Sequence, residues 1–500
     1  MKTKPKILFW IYDFLSHYSL AYYLQTRLDA DFFGIIDINS KPKKFFQEQN
    51  LVNFQKVWFF HDCIVKTQQK LDLNYLKNFE QKYKIDLWKL AINERFFYMH
   101  NRFYKFTKQE ILSILEQETK LFESILNEIK PDYFLTFNPV FHHQKLLLEL
   151  CRAKGIKVLS VCSTGIENKS ILAENPATLD LDKNNLHNHS FETKKTTVNN
   201  NSYNLNVKKY LNNNNIGFSN KFIALKDYLF DFTSSNLSKS NFMYYGRSKS
   251  KVIMDALFLE FKRNRNFNFI QKHATLSPDL NIPFVYFPMS ITEEMNLLHF
   301  APYYTNQIEA IRHIAKSIPI NYMLYVKEHI VAGLRGWNDI EYYKQIMDIP
   351  NVIFIHPDFD NDSLIKNSEL VITLRGTAIL KAMQYGKPSI VFGEHAAQIM
   401  PSIFKVDSIN SFPELIRTAL QYKVDISEYA NYKELLDNRT FVFNMFEFEN
   451  NIKQHFFSGG ILSNVSISNN DMISFLNKNR DMILPMLDAH LKIISSDNIP

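Results

Sequence analysis

The first 60 residues alternate between apolar runs and amphipathic stretches. The run KILFWIYDF (6–14) predicts a buried strand, SHYSLAYYLQTRL (16–28) an amphipathic helix, and ADFFGIIDI (30–38) the next strand. Strands that alternate with helices are typical of a parallel α/β sheet. We therefore expect the chain to open with such a sheet.

The alternation resumes after a polar and aromatic stretch at 64–108, which we interpret as a helical insertion. A long helical pattern at 108–129 precedes the predicted strand DYFLTFN (132–138). A second helical pattern at 142–155 precedes IKVLSVCS (156–163), which predicts another strand. These elements are expected to extend the first sheet.

A second series of strands begins near residue 282. Five apolar runs separated by helical segments predict a doubly wound sheet. The runs are IPFVYFPMS (282–290), INYMLYVKEH (320–329), NVIFIHP (351–357), LVITLRG (370–376) and KPSIVFGE (387–394).

The chain of 500 residues is too long for one ordinary core, so we expect more than one domain. A segment rich in Asn, Ser and Thr and a basic helical stretch separate the two series of strands. The predicted divisions are an N-terminal Rossmann-like lobe at 1–174, an Asn-rich flexible excursion or lid at 175–235, a basic helical connector at 236–272, a C-terminal Rossmann-like lobe at 273–400 and a helical tail packing across both lobes at 401–500.

Composition narrows the class of protein. A hydrophobic fraction of 46% supports globular cores, and no apolar run reaches the ~20 residues that span a bilayer. Because Cys63, Cys151 and Cys162 show no paired spacing, we expect no disulfide framework or zinc site and place the protein in the reducing cytoplasm.

The net charge of +7 favours anionic partners, among them a nucleotide sugar, an acidic glycan and the inner face of an anionic membrane. Peripheral association with the inner membrane is left open for this reason. Nucleic acid is not expected, since no zinc-finger spacing, RNP-like motif or basic tail is present.

Charged residues follow the strands of the second series. Ligands of doubly wound sheets collect outside the carboxyl ends of the strands, so basic side chains there indicate a phosphate site. A glycine and a helix N-terminus after the fourth strand would add close backbone approach and free amides. Taken singly, each feature also fits a surface salt bridge or an ordinary turn. The candidates are Lys327, Glu328, His329, Arg335, Arg375, Gly376, Thr377 and Glu394.

The segments YFPMSITEE (286–294), YVKEH (325–329), LRGTAILKA (374–382) and GKPSIVFG (386–393) resemble the capsule polysaccharide biosynthesis family of bacterial glycosyltransferases, which includes Kdo transferases. The resemblance covers about residues 283–396 and is loose in the N-terminal half. It implies the GT-B architecture, in which two doubly wound Rossmann-like lobes face an interdomain cleft and a helical C-terminal crossover joins them.

The resemblance also implies roles for individual residues. Glu294 matches the family's acidic position, and Lys327, Glu328 and His329 match its donor-site motif. Further matches place Gly376 and Thr377 at the nucleotide phosphates, Gln307 at a helix glutamine, and Gly386, Lys387, Pro388 and Gly393 in the framework.

Three positions depart from the family pattern. Ile330 replaces the proline after the histidine, and Arg375 replaces a small residue. Lys381 replaces the glutamate that would bind the ribose hydroxyls, and lysine cannot accept hydrogen bonds from them. Another carboxylate such as Glu394 then substitutes, or the donor is unusual, or donor binding is impaired.

The first lobe is where the resemblance implies acceptor binding. Its strand-end candidates are Asp13, His17, Tyr18, His142, His143 and Ser163. Helix capping and packing are the favoured roles for the aspartate and the histidines. Adjacent histidines do not share a helix face, so no metal site is predicted.

The sequence therefore predicts a cytoplasmic, metal-independent GT-B glycosyltransferase. It would transfer a sugar from a CMP- or UDP-linked donor to a surface polysaccharide or its lipid-linked precursor. Kdo or another acidic sugar is one option for the transferred sugar. No separate cofactor is expected. Glu294 is the first choice for the catalytic base and Asp13 the second. The alternatives are an inactive binding or assembly subunit, suggested by Lys381, and a nucleotide-sugar epimerase of the same architecture.

Overall fold

The computed structural model describes residues 4–67, 69–182, 241–456 and 465–497. They form two compact units. Of the described residues, unit 1 contains 4–179, 241–252 and 439–497, and unit 2 contains 180–182 and 253–438. The predicted Asn-rich excursion at 175–235 lies outside the described residues from 183 onward.

Unit 1 begins with six strands and seven helices. The strands are β1 Lys6–Tyr12, β2 Asp31–Asp37, β3 Phe54–Phe59, β4 Tyr133–Phe137, β5 Lys157–Ser163 and β6 Lys169–Ala173. The helices are Ser16–Leu24, Ser40–Glu48, Phe60–Cys63, Leu73–Tyr83, Leu87–Ile92, Lys108–Ile129 and His142–Ala153. Leu73–Tyr83 and Leu87–Ile92 occupy the predicted helical insertion.

Unit 2 contains six strands. They are β7 Phe284–Pro288, β8 Met323–Lys327, β9 Val352–Ile355, β10 Leu370–Thr373, β11 Ser389–Val391 and β12 Ile403–Lys405. The helices from residue 249 to residue 437 are Lys249–His273, Met295–Leu298, Gln307–Ser317, Ile340–Met347, Asn361–Asn367, Ala378–Gln384, Phe412–Gln421 and Ser427–Asp437. The sixth strand, β12, lies in a stretch expected to be helical.

The chain then returns to unit 1. A short strand, β13 (Thr440–Val442), pairs antiparallel with β6. The helices Met445–Phe456, Asn469–Lys478 and Arg480–Asp497 follow it. The predicted boundary at residue 400 therefore falls inside unit 2, which continues to Asn438.

Each sheet reverses its strand order once. The order is β13-β6-β5-β4-β1-β2-β3 in unit 1 and β12-β11-β10-β7-β8-β9 in unit 2. All pairs are parallel except β5 with β6 and β6 with β13. The reversals lie between β1 and β4 and between β7 and β10, where doubly wound folds bind ligands. The predicted fold class of two doubly wound α/β lobes is confirmed, and the cleft between them stays a prediction.

Alternation of side chains builds the cores. In β1, Ile7, Phe9 and Ile11 belong to one buried cluster and Leu8 and Trp10 to another. Successive residues of a strand point to opposite faces, so both faces of this sheet are covered. None of the helices in the described part of the chain combines the length and the hydrophobicity that a membrane span requires.

Candidate functional site

The carboxyl ends of the central strands of unit 2 form one edge. Pro288 of β7 lies opposite Lys327 of β8, and the Met289 amide donates to the Lys327 carbonyl at 2.9 Å. Beyond β10, the Gly393 amide donates to the Leu374 carbonyl at 2.8 Å. The segment 289–300, which follows β7, therefore starts at the reversal of strand order, between the ends of β8 and β10.

Arg335 binds the β7 segment from the β8 side. Its Nη1 and Nη2 atoms lie 3.5 Å from the carboxylate oxygens of Glu293 and Glu294, respectively. The three side chains are about one third exposed, at 35% for Arg335, 40% for Glu293 and 37% for Glu294. The predicted base Glu294 thus shares a cation with a second carboxylate in a position that solvent reaches.

Arg375 binds the same segment from the β10 side. Its Nη1 donates to Asn296 Oδ1 at 2.6 Å, and its Nε donates to the Glu394 carbonyl at 2.9 Å. The guanidinium also lies over the Phe300 ring, 4.0 Å from its centroid, a favourable cation–π position. Glu394 contributes its carbonyl to this contact, and its side chain is exposed.

Lys327 is buried, with 5% of its surface exposed. Its Nζ donates to Asn361 Oδ1 at 2.6 Å, and the Tyr286 hydroxyl donates to the same oxygen at 3.0 Å. Burial lowers the pKa of Lys327 to about 8, although Asp360 and Asp358 oppose the shift. The ammonium therefore sits beneath an exposed asparagine, bonded to a neutral group.

Two neighbouring candidates differ from their predicted roles. The buried Glu328 carboxylate accepts from the His329 amide, Asn338 Nδ2 and the Tyr343 hydroxyl at 2.7–3.0 Å, so it holds the local loop. Burial raises the pKa of Glu328. Burial, with Lys327 and Arg335, lowers the pKa of His329 to about 4, so this histidine is neutral and not the cation expected from the sequence.

The turn after β10 is also more closed than predicted. The Gly376 amide donates to Thr373 Oγ1 at 3.0 Å, and a Cβ at Gly376 would lie 2.8 Å from that oxygen. Glycine is thus required by local packing, and its amide is already satisfied. Thr377 is exposed, but the helix after it, Ala378–Gln384, has only seven residues and less than two turns. The predicted contribution of its N-terminus to anion binding is correspondingly weak.

The departure at Lys381 has a local explanation. Its ammonium pairs with the Asp362 carboxylate on the helix Asn361–Asn367. The first two residues of this helix, Asn361 and Asp362, therefore hold Lys327 and Lys381. Gln307, predicted from the family pattern, binds both backbone groups of Ser290 at 2.7–2.8 Å and is structural.

Asp13 is the strand-end carboxylate of unit 1. It follows β1 at the reversal of strand order and is exposed at its surface. Desolvation at this strand end, with the carboxylates of Asp37 and Glu449, raises the pKa of Asp13 to about 6, although the residue as a whole remains exposed. Leu15, two residues on, has φ 55°, a left-handed conformation that is costly for a leucine and marks this turn as constrained.

Three further candidates of unit 1 have local roles. His17 is buried, and burial together with His490 lowers its pKa to about 3, so it is neutral. Tyr18 is buried and its hydroxyl donates to Gln49 Oε1 at 3.0 Å. Ser163 ends β5, and its Oγ accepts from the Gly165 amide at 3.3 Å.

His142 lies between two buried glutamates. Its Nδ1 is 2.8 Å from Glu94 Oε2, and its Nε2 is 3.0 Å from Glu118 Oε2. Burial alone would lower the pKa of His142, but Glu118 and Glu94 raise it to about 10. The three side chains, which we call the His142 triad, form a closed ion group.

His143 belongs to an adjoining buried group. Its Nε2 donates to Asp37 Oδ2 at 3.3 Å, and His61 Nε2 donates to Asp37 Oδ1 at 2.6 Å. Burial alone would raise the pKa of Asp37, but these two histidines hold it well below its usual range.

No metal site was predicted at the two adjacent histidines, yet both lie near the Glu118 carboxylate. One potential ligand atom from each of Glu118, His142 and His143 lies within 4.8 Å of the others. Because His142 already bonds to Glu94 and Glu118 through its two nitrogens, we assign the group a structural role.

Several residues of these groups were missed in the sequence. Three of them lie in the first turn of the helix that follows a strand of unit 2, several residues after the strand end. They are Asn296, Asn361 and Asp362. Extending the search from each strand end to the following helix would have found them. Glu94 and Glu118 carry no comparable signal.

Residues 249–400 match the profile of a family described as "Capsule polysaccharide biosynthesis protein". The predicted resemblance to this family is confirmed over that segment. It is less than one third of the chain, and it includes β7–β11 and the unit 2 candidates described above. Asp13 and the His142 triad lie outside it.

Solved structures give weaker similarity. The glycotransferase of kitacinnamycin is 9% identical, with 90% of this chain and 99% of that chain covered and a TM-score of 0.25. Thermosulfurimonas dismutans KpsC, beta Kdo 2,7 transferase, is 12% identical, with 79% and 98% covered and a TM-score of 0.31. UDP-GlcNAc 2-epimerase from Methanocaldococcus jannaschii is 14% identical, with 87% and 99% covered and a TM-score of 0.24. At these values the similarity carries no inference about activity. No curated protein sequence matched the chain.

Proposed function

We propose that the protein is a glycosyltransferase that moves a sugar from a CMP- or UDP-linked donor to a surface polysaccharide or its lipid-linked precursor. Unit 2 binds the donor phosphates in this proposal. The observation that carries it is Lys327, a buried ammonium at a strand end whose hydrogen-bond partner is neutral. Burying a cation is costly, Asp360 and Asp358 offset only part of that cost, and an anionic ligand would offset more of it.

The surroundings of Lys327 suit a phosphate in two ways. Arg335 belongs to the same edge and is partly exposed, so its planar guanidinium can exchange weak contacts at 3.5 Å for closer ones. The neutral His329 offers hydrogen bonding without adding charge. Hydrogen-bond donors of this kind stabilise negative charge on a leaving phosphate, so the proposal requires no metal for this step.

Asp13 is the carboxylate that we propose as the base on the acceptor side. Its pKa of about 6 leaves it ionised at neutral pH while still able to take a proton. Glu294 is the alternative base within unit 2, but it is held beside Arg335. If Asp13 is the base, kcat/KM falls about tenfold per pH unit below pH 6 in the wild type. Asp13→Asn should abolish this fall of kcat/KM below pH 6. If the pH profile of kcat/KM is unchanged in the variant, the catalytic base is Glu294 instead.

The experiment that tests donor binding is calorimetric titration with a panel of CMP- and UDP-linked sugars. Lys327→Met should weaken binding of the recognised donor more than tenfold, about the scale of one charge-assisted hydrogen bond. Lys366→Met, at an exposed lysine of the same unit, is the matched control and should bind normally. The absence of binding across the panel would contradict the proposal, as would conversion of the donor sugar without any acceptor.

A catalytically inactive binding or assembly subunit is the second candidate, because Lys381 occupies the family's glutamate position. The pairing with Asp362 dictates how this is tested. Lys381→Glu alone would place two carboxylates together, so the variant should be Lys381→Glu with Asp362→Asn. A donor that binds only to this double variant would favour the inactive subunit.

A further inference from the structure

The helix Lys249–His273 carries large apolar side chains that are exposed. Met254 is 70% exposed, Leu257 68%, Phe258 56% and Phe261 64%. We call these four side chains the apolar stripe. Single exposed apolar residues are normal on protein surfaces, but a contiguous group of this size marks an interaction site.

The spacing places the apolar stripe on one face of the helix. Relative to Met254, the other three lie three, four and seven residues along the chain, which an α-helix aligns on one side. The opposite side packs on unit 2. Asn266 and Ile270 are buried there, and Asn266 Nδ2 donates to the Gly336 and Asn338 carbonyls at 3.3 and 2.8 Å.

Basic residues extend the same face at both ends. With about 100° per residue, Lys251, Arg265 and Lys272 fall within about 60° of Met254, and all three are exposed. The acidic residues of the helix, Asp255 and Glu260, fall outside this arc. Along its length the face therefore presents Lys251, then the apolar stripe, then Arg265 and Lys272.

We propose that this face docks on an anionic lipid bilayer, with the apolar stripe among the acyl chains near the headgroups and the three basic residues on anionic headgroups. Charge complementarity selects this occupant, because a helix with an apolar stripe and basic flanks has the composition of surface-bound helices. A protein groove or a second copy of the chain would not require cations at both ends of the stripe. The proposal does not depend on the activity assigned above.

The test is sedimentation of the full chain with vesicles of phosphatidylcholine alone or with 30% phosphatidylglycerol. We expect the partition coefficient to be more than tenfold higher on the anionic vesicles and to fall with added salt. In the variant Leu257→Gln, Phe258→Gln, Phe261→Gln, the partition coefficient should fall more than tenfold on both vesicle compositions. The variant Lys251→Gln, Arg265→Gln, Lys272→Gln should lose the preference for anionic vesicles and its salt dependence.

A matched control replaces exposed apolar residues elsewhere, as Leu73→Gln, Trp88→Gln, Ile92→Gln in unit 1. It should bind vesicles as the wild type does. The inference is overturned if the wild type shows no preference for anionic vesicles, or if the stripe variant and the control bind equally. It is also overturned if light scattering shows a dimer that only the stripe variant dissociates, since the occupant is then a second copy. Nucleotide-sugar titration of the stripe variant separates this outcome from failure of the proposed function.

Discussion

Lys327 in unit 2 and His142 in unit 1 are both buried cations, yet their pKa values are shifted in opposite directions. Lys327 bonds to an amide oxygen, and burial lowers its pKa to about 8. His142 lies between two carboxylates, which raise its pKa to about 10 despite burial. The fold leaves the first charge undercompensated and compensates the second fully.

This difference separates a candidate binding group from a structural one. A buried cation paired with carboxylates has no need of a ligand. Removing that cation leaves the carboxylates buried without an opposite charge. A buried cation beside a neutral partner reduces the stability of the unliganded protein and gains from an anion. Burial and residue type alone would have assigned both residues to the same class.

The largest expected effect is the loss of the His142 triad. His142→Gln leaves Glu94 and Glu118 buried without their cation, which should lower the free energy of unfolding by about 3–5 kcal/mol. Urea denaturation measures this value. Lys56→Gln, which breaks an exposed pair with Glu128, is the control and should cost less than about 1 kcal/mol. Equal losses in the two variants would show that the triad is not a closed ion group.

The pH dependence of stability should have opposite directions at the two cations. The pKa of His142 is raised on folding, so its contribution is fully present below about pH 6.5 and is lost as pH rises to about 10. The advantage of the wild type over His142→Gln should therefore shrink over this range, by at most about 1.4 kcal/mol per pH unit. Denaturation of both proteins from pH 6 to pH 10 measures it. A difference that is constant with pH would contradict the assignment of His142 as a cation.

Lys327→Met should have the opposite effect on stability. The pKa of Lys327 is lowered on folding, so its unfavourable contribution is present below about pH 8 and disappears as pH rises through 10.5. At pH 7 the variant should be about 1–3 kcal/mol more stable than the wild type, because methionine is similar in length to lysine but places no charge in the buried position. Thermal unfolding in the absence of ligand measures this. If the variant is less stable than the wild type, Lys327 has a structural role like that of His142.

Much of the fold could be predicted from the sequence because side-chain periodicity marks the long parallel strands. β1, β4 and β5 and the strands β7–β11 lie within the predicted apolar runs. Strands β3 and β6 were missed. So were the short strands β12 and β13, which lie in the stretch after residue 400 that was expected to be helical. Their pairing depends on the neighbouring strands β11 and β6.

The candidate site was predictable to a smaller extent. Topology places strand ends at one edge, so Lys327, Arg335 and Arg375 could be chosen as candidates from the sequence. The contacts of these residues were not predictable, because Asn361 is 34 residues from Lys327 in the chain and Asn296 is 79 from Arg375. Contacts at such separations decide whether a charge is compensated, and a single sequence does not contain them.

The smallest expected effect is at Arg375, which combines features of both cations. It is partly exposed, as a binding group would be, but its donors already hold Asn296 and the Glu394 carbonyl. Arg375→Lys keeps the charge but cannot form both bonds at once, because a lysine presents a single nitrogen. We expect a loss of about 1 kcal/mol of unfolding free energy, measured by urea denaturation, whereas Arg417→Lys at an exposed position should be neutral. If donor affinity falls while stability is unchanged, Arg375 belongs with Lys327 as a ligand-binding cation and the loop contacts are secondary.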